Sequence, residues 1–117
     1  MVYRGDVYWV DFGLGRGSEQ AGIRPALVVQ NNVGNAHAPT TIVAVISSHG
    51  ACKRYPFRVS LPEGLLPKSS TVKCEQLLTV DHCRLRGRPI AHLDAELMAE
   101  VDEALKISLG LGTGRLG

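Results

Sequence analysis

The sequence predicts one small domain of the mainly β class with a single C-terminal α-helix. Segments rich in β-branched and aromatic residues alternate with Gly- and Pro-rich turns, which is typical of a small barrel or sandwich of about five to seven short strands. A four-residue apolar period near the end of the chain indicates the helix. With 117 residues, 44% of them hydrophobic, the chain can bury one core but not two. We expect the domain to span residues 1–111 and residues 112–117 to form a disordered tail.

Three strands are indicated most clearly. Residues 6–12 mix β-branched and aromatic side chains with partial alternation, and glycines follow them. Residues 25–30 and 41–46 are almost entirely apolar, as in strands buried on both faces, so we expect them to form the centre of the sheet. Weaker strand candidates are residues 55–61, 70–74, 76–80 and 88–91.

The last part of the chain has the pattern of an amphipathic helix. Apolar residues recur in steps of four from Leu93 to Leu109, while most acidic residues fall on the other faces. Asp94 can cap the start of this helix, and Gly110 can adopt the left-handed conformation that ends it.

Two long connections separate the strongest strand candidates. Residues 13–24 contain four glycines and several polar residues, which predicts a flexible loop rather than a tight hairpin. Residues 31–40 are rich in Asn, Gly and Pro and are predicted to connect the two central strands. Loops as long as the first one usually have a function in compact domains.

The charge and the absence of targeting segments restrict the class of protein. A net charge of +2 is far from the basic surface of proteins that hold duplex DNA by its phosphates, so any contact with nucleic acid should be local, at a cleft. No leader-like segment and no apolar stretch of membrane-spanning length are present. We therefore expect a cytoplasmic protein with no membrane partner.

The three cysteines, Cys52, Cys74 and Cys83, are odd in number and lack the paired spacing of a zinc site. Reduced, structural thiols are the expected state in the cytosol. An intersubunit disulfide or a redox role is the alternative.

Polar residues without an evident structural role concentrate in the 13–24 loop and at the end of the second central strand, where Ser47, Ser48 and His49 follow. If the two central strands are neighbours, Arg24 and Ser47 can meet. A guanidinium group offers planar, permanently charged donors to a phosphate, and a serine hydroxyl can donate to a developing oxyanion. The pair therefore suits phosphoryl transfer.

RNA is the simplest substrate for such a pair, because the 2′-OH beside each phosphate is a built-in nucleophile. The reaction then requires neither a metal nor another cofactor, and the sequence has no clustered set of Asp, Glu and His ligands. The glycine-containing loop could fold over a single strand whose unstacked bases its polar groups read.

These residues also have plain structural interpretations. Arg24 could pair with Asp11 or Glu19 at the surface, a contact of small energetic value. The serines could simply end a strand, and His49 could be a solvated loop residue. We expect the aromatic residues to pack in the core or form an interface, since only an exposed ring can act as a platform for a base; they are Tyr3, Tyr8, Trp9 and Tyr55.

Glu75 and Gln76 form a second polar feature, in the middle of an otherwise apolar pattern between Val72 and Leu77. Polar residues at such positions indicate either a strand face open to solvent or a site. The sequence by itself favours neither.

Five sequence motifs follow one another along the chain. They are RGDVY at 4–8, GSEQAGIRPALVVQN at 17–31, EQL at 75–77, LD at 93–94 and VDEAL at 101–105. In order and spacing this series resembles the MazF/PemK (Kid-type) family of toxins, and most of all its MazF endoribonuclease branch. The resemblance extends from residue 3 to about residue 110.

The resemblance implies an SH3-like β-barrel with a C-terminal helix, a symmetric homodimer, and single-stranded RNA bound in a groove at the dimer interface. It implies a toxin of a type II toxin–antitoxin system, whose partner is a MazE-like antitoxin with an acidic, partly disordered tail that covers the groove. The implied reaction is metal-independent attack of the 2′-OH on the adjacent phosphorus, most often in messenger RNA. It leaves a 2′,3′-cyclic phosphate and a 5′-OH.

The resemblance also implies roles for single residues. The arginine of the Gly-x-Arg-Pro motif, Arg24, and the hydroxyl residue at the end of the third strand, Ser47, are the catalytic pair. Ser48 follows directly, so either serine can supply the hydroxyl, and the alignment favours Ser47. The residues implied to contact RNA lie in the loop that closes over it, at the strand end and in the groove: Ser18, Glu19, Gln20, Ser48, His49 and Gln76.

Two other functions are compatible with the same fold. A gyrase-binding toxin would act through its C-terminal helix and would lose nothing on replacement of Arg24. A catalytically inactive RNA-binding or regulatory module would keep the groove and leave RNA intact. The presence of both Arg24 and Ser47 favours the endoribonuclease over the gyrase-binding toxin.

Overall fold

The computed structural model describes residues 1–14, 21–48 and 54–112. Six β-strands and two α-helices lie in these ranges, and the number of strands agrees with the prediction. Most of the predicted tail lies outside the described ranges, so the domain boundary at residue 111 stays a prediction. The elements are β1 (Asp6–Asp11), β2 (Ile23–Val28), α1 (Asn32–His37), β3 (Thr40–Ser47), β4 (Arg58–Ser60), β5 (Thr71–Asp81), β6 (Leu85–His92) and α2 (Ala95–Leu109), with a 3₁₀ turn at His82–Arg84.

All six strands belong to one antiparallel sheet in the order β4-β5-β3-β2-β1-β6. The apolar strands β2 and β3 lie inside it, as predicted, and the class of a mainly β domain with a C-terminal helix is confirmed. Among the described residues no pairing joins the edge strands β4 and β6, so the sheet is open rather than closed as a barrel. Strand β4, with three residues, offers little backbone for such a closure.

Each face of the sheet carries a hydrophobic core, because side chains alternate between the two faces along a strand. The larger core lies between the sheet and α2, and the smaller one lies on the other face. Burial on both faces explains why β2 and β3 are continuous apolar runs in the sequence. The larger core includes Val7, Leu27, Ala44, Val72, Leu93, Val101 and Ala104, and the smaller one Tyr8, Val10, Ala26, Val28 and Val43.

Helix α2 begins and ends where the sequence predicts. The Asp94 carboxylate accepts a hydrogen bond from the backbone N–H of Leu97 (2.9 Å), and Gly110 ends the helix with a left-handed φ of 69°. Val101 and Ala104 are its buried residues and belong to the larger core. Neither described helix is long and apolar enough to cross a membrane.

Helix α1 lies within residues 31–40, where the sequence predicted only a connection. Asn31 caps it by accepting a hydrogen bond from Gly34 N (2.7 Å). Asn35 is buried and accepts a hydrogen bond from the Thr41 hydroxyl of β3 (2.7 Å). Side-chain hydrogen bonds therefore hold this six-residue helix, which is too short to show an apolar period.

Strand β5 unites two of the weaker strand candidates and contains a wide irregularity between them. Val45 of β3 pairs with Lys73, but the preceding Ala44 pairs with Leu77. The three residues between Lys73 and Leu77 therefore stand outside the ladder, as in an enlarged β-bulge. They are Cys74, Glu75 and Gln76, the last two being the polar pair that interrupts the apolar pattern.

Cys74 and Cys83 are free thiols in different surroundings. Cys74 is fully buried in the larger core, whereas Cys83 is exposed in the turn between β5 and β6. Burial raises the pKa of Cys74 to about 11, and the Glu75 carboxylate adds to the increase. Cys52 lies outside the described residues.

We expect Cys74 to resist alkylation in the folded protein while Cys83 reacts, because the thiolate is the nucleophile and Cys74 is both protonated and shielded from solvent. Iodoacetamide treatment of native protein near neutral pH, followed by mass spectrometry, measures the difference, and urea-unfolded protein provides the control in which both react. If Cys74 in the native protein were alkylated as fast as Cys83, the result would contradict the burial of Cys74.

The same thiol gives stability a defined pH dependence. The fold favours the neutral form, so the unfolded chain loses its proton first as the pH rises. The contribution of Cys74 to the free energy of unfolding is therefore fully present below pH 9.0, the ordinary pKa of the thiol in the unfolded chain. It is lost progressively as the pH rises towards about 11, the pKa of the thiol in the folded protein. A Cys74→Ala variant should lack this part of the alkaline decline in urea titrations.

Candidate functional site

The register of the central strands brings the predicted pair to one end of the sheet. In the ladder between β2 and β3, Ala26 pairs with Val45. The ladder ends at this pair, and Arg24 and Ser47 each lie two residues beyond it, Arg24 near the start of β2 and Ser47 at the end of β3. Because residues two apart in a strand share a face of the sheet, the two side chains leave the same face. The prediction that Arg24 and Ser47 can meet required the two central strands to be neighbours, and β2 and β3 are neighbours in the sheet.

Arg24 is exposed, and no carboxylate among the described residues forms an ion pair with it. Its Nε donates a hydrogen bond to the carbonyl of Ala21 (3.0 Å), which directs the guanidinium group. Asp11, one surface partner considered for it, pairs with Arg86 instead (2.6 Å). Arg24 therefore retains N–H donors for an anionic ligand.

The two candidate serines lie at the end of β3. Ser47 is half-buried and pairs with Thr71 of β5, whereas Ser48 follows the strand and is exposed. Both are therefore near the Arg24 end of the sheet. Four other predicted site residues lie outside the described ranges: Ser18, Glu19, Gln20 and His49.

A cleft of about 240 Å³ opens beside Arg24 and Ser48. We call it the Trp9 cleft after the one aromatic ring among the described residues of its wall. Trp9 is 41% exposed, whereas its neighbours in β1, Tyr8 and Val10, are 5% and 0% exposed. The other residues of the wall are Ile23, Pro25, Leu66, Pro67, Lys68, Ser70 and Ile90.

No sequence pattern predicts this cleft. Its wall comes from β1, β2, the end of β3, the turn between β4 and β5, and β6, and no local pattern connects these segments. An aromatic side chain can stack on a base only if its ring is exposed, and Trp9 is exposed.

Gln76, the predicted groove residue, is not in the wall of the Trp9 cleft. It is half-buried in the β5 bulge beside Glu75. Glu75 accepts a hydrogen bond from Arg58 Nε (2.9 Å), and the Arg58 guanidinium lies 4.8 Å from the centre of the Tyr55 ring. This ion pair gives Glu75 a structural role, whereas the contact of Gln76 with RNA stays a prediction.

The ends of the 13–24 loop are fixed at its base. Gly22 N donates to the carbonyl of Gly13 (2.8 Å), and Gly13 N donates to the Asp11 carboxylate (2.9 Å). The hydrogen bonds from Gly13 and Arg86 lower the pKa of Asp11, which keeps its carboxylate charged. The backbone that leads into Arg24 is thus held in place.

Comparisons with known proteins agree on one family. The model of the PemK-like, MazF-like toxins of type II toxin–antitoxin systems matches residues 3–109. Endoribonuclease EndoA of Bacillus subtilis (strain 168) is 44% identical over 113 residues, which cover 95% of this chain and 97% of that protein.

Solved structures match as well. The crystal structure of MazF (Form-I) from Deinococcus radiodurans superimposes with a TM-score of 0.79 at 31% identity, covering 94% of this chain and 97% of that one. The crystal structure of MazE–MazF (Form-III) from the same organism gives a TM-score of 0.77 at 29% identity, with coverages of 95% and 98%.

Proposed function

Because the chain belongs to the family of PemK-like, MazF-like toxins of type II toxin–antitoxin systems, we propose that it is an endoribonuclease that cleaves single-stranded RNA with Arg24 and Ser47. The observation that carries this proposal is the pairing of β2 with β3, which leaves these two residues at the same end of the sheet, each two positions beyond the last pair of the ladder. A reaction at phosphorus needs hydrogen-bond donors that stabilise the negative charge developing on oxygen. A guanidinium group and a hydroxyl group at the same end of the sheet can provide them.

The reaction uses the 2′-OH of the substrate as the nucleophile. The 2′-oxygen attacks the adjacent phosphorus and releases its proton to water, while the bond between phosphorus and the 5′-oxygen breaks and that oxygen takes up a proton from water. The products are a 2′,3′-cyclic phosphate and a 5′-OH. Arg24 holds the non-bridging oxygens and Ser47 donates to the one that gains charge. We assign Arg24 to charge stabilisation rather than to general base catalysis, since a guanidinium group does not release its proton in proteins.

Other residues are proposed to bind the RNA. Ser48 is supported by its place in the wall of the Trp9 cleft beside Arg24. The family resemblance alone supports the remaining ones, which are Ser18, Glu19, Gln20, His49 and Gln76.

We propose that the protein acts in the cytoplasm as a homodimer and that a MazE-like antitoxin inhibits it. Support for the partner comes from the structure of MazE–MazF of Deinococcus radiodurans, whose MazF shares the fold over almost the whole chain. An acidic antitoxin segment would compete with RNA for the same cationic donors, since both are polyanions.

Incubation of the purified protein with a long single-stranded RNA in excess EDTA tests the activity. We expect discrete fragments whose 5′ ends carry a hydroxyl and accept phosphate from polynucleotide kinase without prior phosphatase treatment. Intact RNA across several substrates would contradict the proposal. That result would favour a gyrase-binding toxin or an inactive RNA-binding module.

A further inference from the structure

We propose, on the basis of the proposed function, that the Trp9 cleft binds one unstacked base of the RNA. The base stacks on the indole of Trp9, next to the phosphate that Arg24 holds. Trp9 is then a substrate-binding residue that positions the nucleotide for cleavage.

The exposure of Trp9 is the first argument. It lies within β1, where both neighbouring residues are buried, yet two fifths of its own surface is open to solvent at 41%. A large aromatic side chain that stays open in this way forgoes burial that would stabilise the fold. Stacking with a base would supply the missing contact, because every base offers a flat π-face to an aromatic ring.

The chemistry of the wall is the second argument. Apolar side chains such as Ile23, Leu66 and Ile90 surround the indole, and two cations, Arg24 and Lys68, line the same cleft. No Asp or Glu is among the described residues of the wall. A flat apolar ring joined to a phosphate is complementary to this combination, since the ring can take the apolar wall and the phosphate the cations.

Continuity with the proposed catalytic pair is the third argument. In the ladder between β1 and β2, Trp9 pairs with Pro25 and the next residue, Val10, pairs with Arg24. Arg24 therefore directly precedes the residue that pairs with Trp9, and it lines the same cleft. Because Trp9, Arg24 and Ser48 line one cleft, a nucleotide bound there can place its phosphate on Arg24, its base on Trp9 and the edge of the base near the exposed Ser48 hydroxyl.

Fluorescence tests the contact directly, because Trp9 is the only tryptophan of the chain. The ligand is a single-stranded oligonucleotide with 2′-O-methyl groups, which binds but cannot be cleaved. We expect its addition to quench the emission of Trp9 in parallel with binding measured by anisotropy of a labelled end. Inorganic polyphosphate, which has no bases, should leave the emission unchanged. Saturated binding of the oligonucleotide without any change in emission would overturn the proposal.

Substitutions test the effect on the reaction. Trp9→Leu keeps apolar bulk but removes the π-face, and we expect kcat/KM for RNA cleavage to fall about 5- to 150-fold, mainly through KM. Trp9→Phe should retain most of the activity. Tyr3→Leu, which removes an exposed ring outside the cleft, is the matched control and should change nothing.

The outcomes separate this proposal from the one on which it rests. If the wild-type protein leaves RNA intact, the endoribonuclease proposal fails. If the wild type cleaves and folded Trp9→Leu cleaves with the same kcat/KM, only the base-binding proposal fails. Dissociation of Trp9→Leu into smaller species in sedimentation would also overturn it, because the indole would then serve a contact between copies of the chain.

Discussion

Replacement of Arg24 by alanine is expected to reduce RNA cleavage about 10³- to 10⁵-fold, the range typical of an arginine that stabilises charge in the transition state of phosphoryl transfer. The loss should be mainly in kcat, because the charge on the non-bridging oxygens grows as the reaction proceeds. Single-turnover cleavage of a labelled RNA measures it. Arg24→Lys should be intermediate, since an ammonium group keeps the charge but not the planar pair of donors.

The fold should tolerate this change. Arg24 is exposed near the start of β2, and its one described side-chain hydrogen bond, to the Ala21 carbonyl, is on the surface. The melting temperature should therefore stay close to that of the wild type.

Arg88→Ala is the matched control for the loss of one positive charge. Arg88 is an exposed arginine of β6 that is neither in the wall of the Trp9 cleft nor in any ion pair that the structure describes. We expect it to change cleavage by no more than a few-fold, about the effect of one surface charge on encounter. A folded Arg24→Ala variant that cleaves RNA as fast as Arg88→Ala would remove Arg24 from the mechanism.

The two serines are expected to differ strongly. Ser47→Ala should reduce kcat about 10²- to 10³-fold, as does the loss of one donor to a developing oxyanion. Ser48→Ala should act mainly on KM, since Ser48 lines the Trp9 cleft, whereas Ser47 is the proposed donor to the developing oxyanion. Steady-state kinetics on a short fluorogenic RNA separate the two constants.

Ser47→Thr provides the conservative control. It keeps the hydroxyl, and a β-branched residue suits a strand end, so most of the activity should remain. If the kcat loss instead followed Ser48→Ala and spared Ser47→Ala, the hydroxyl donor would be Ser48. The register of β2 and β3 would then be a poor guide to the site.

Much of the fold follows from local sequence patterns. The apolar runs that became β2 and β3 indicate strands buried on both faces, and both lie inside the sheet. Asp94 and Gly110 mark the ends of α2 because capping depends on residues within one turn of the helix end. These features need no knowledge of the rest of the chain.

Other elements depend on contacts between distant segments. Helix α1 is held by the hydrogen bond between Asn35 and Thr41, which exists only once β3 is in place. The bulge that carries Glu75 and Gln76 arises from the register of β5 on β3, so the sequence shows two strand candidates where the structure has one. Whether the sheet closes is likewise a question of how its edges meet, and the edge strands stay apart in the described part of the chain.

The same division holds for the candidate site. The sequence by itself supplied Arg24 and Ser47 as a guanidinium and a hydroxyl at the ends of two strong strand patterns, and the family motifs supplied their expected roles. Only the tertiary structure decided that these strands are neighbours, so that both residues lie at the same end of the sheet. It also created the Trp9 cleft, whose wall comes from segments between residues 9 and 90. Local patterns fix single elements because they act within a few residues, whereas a cleft requires long-range pairing that no short segment encodes.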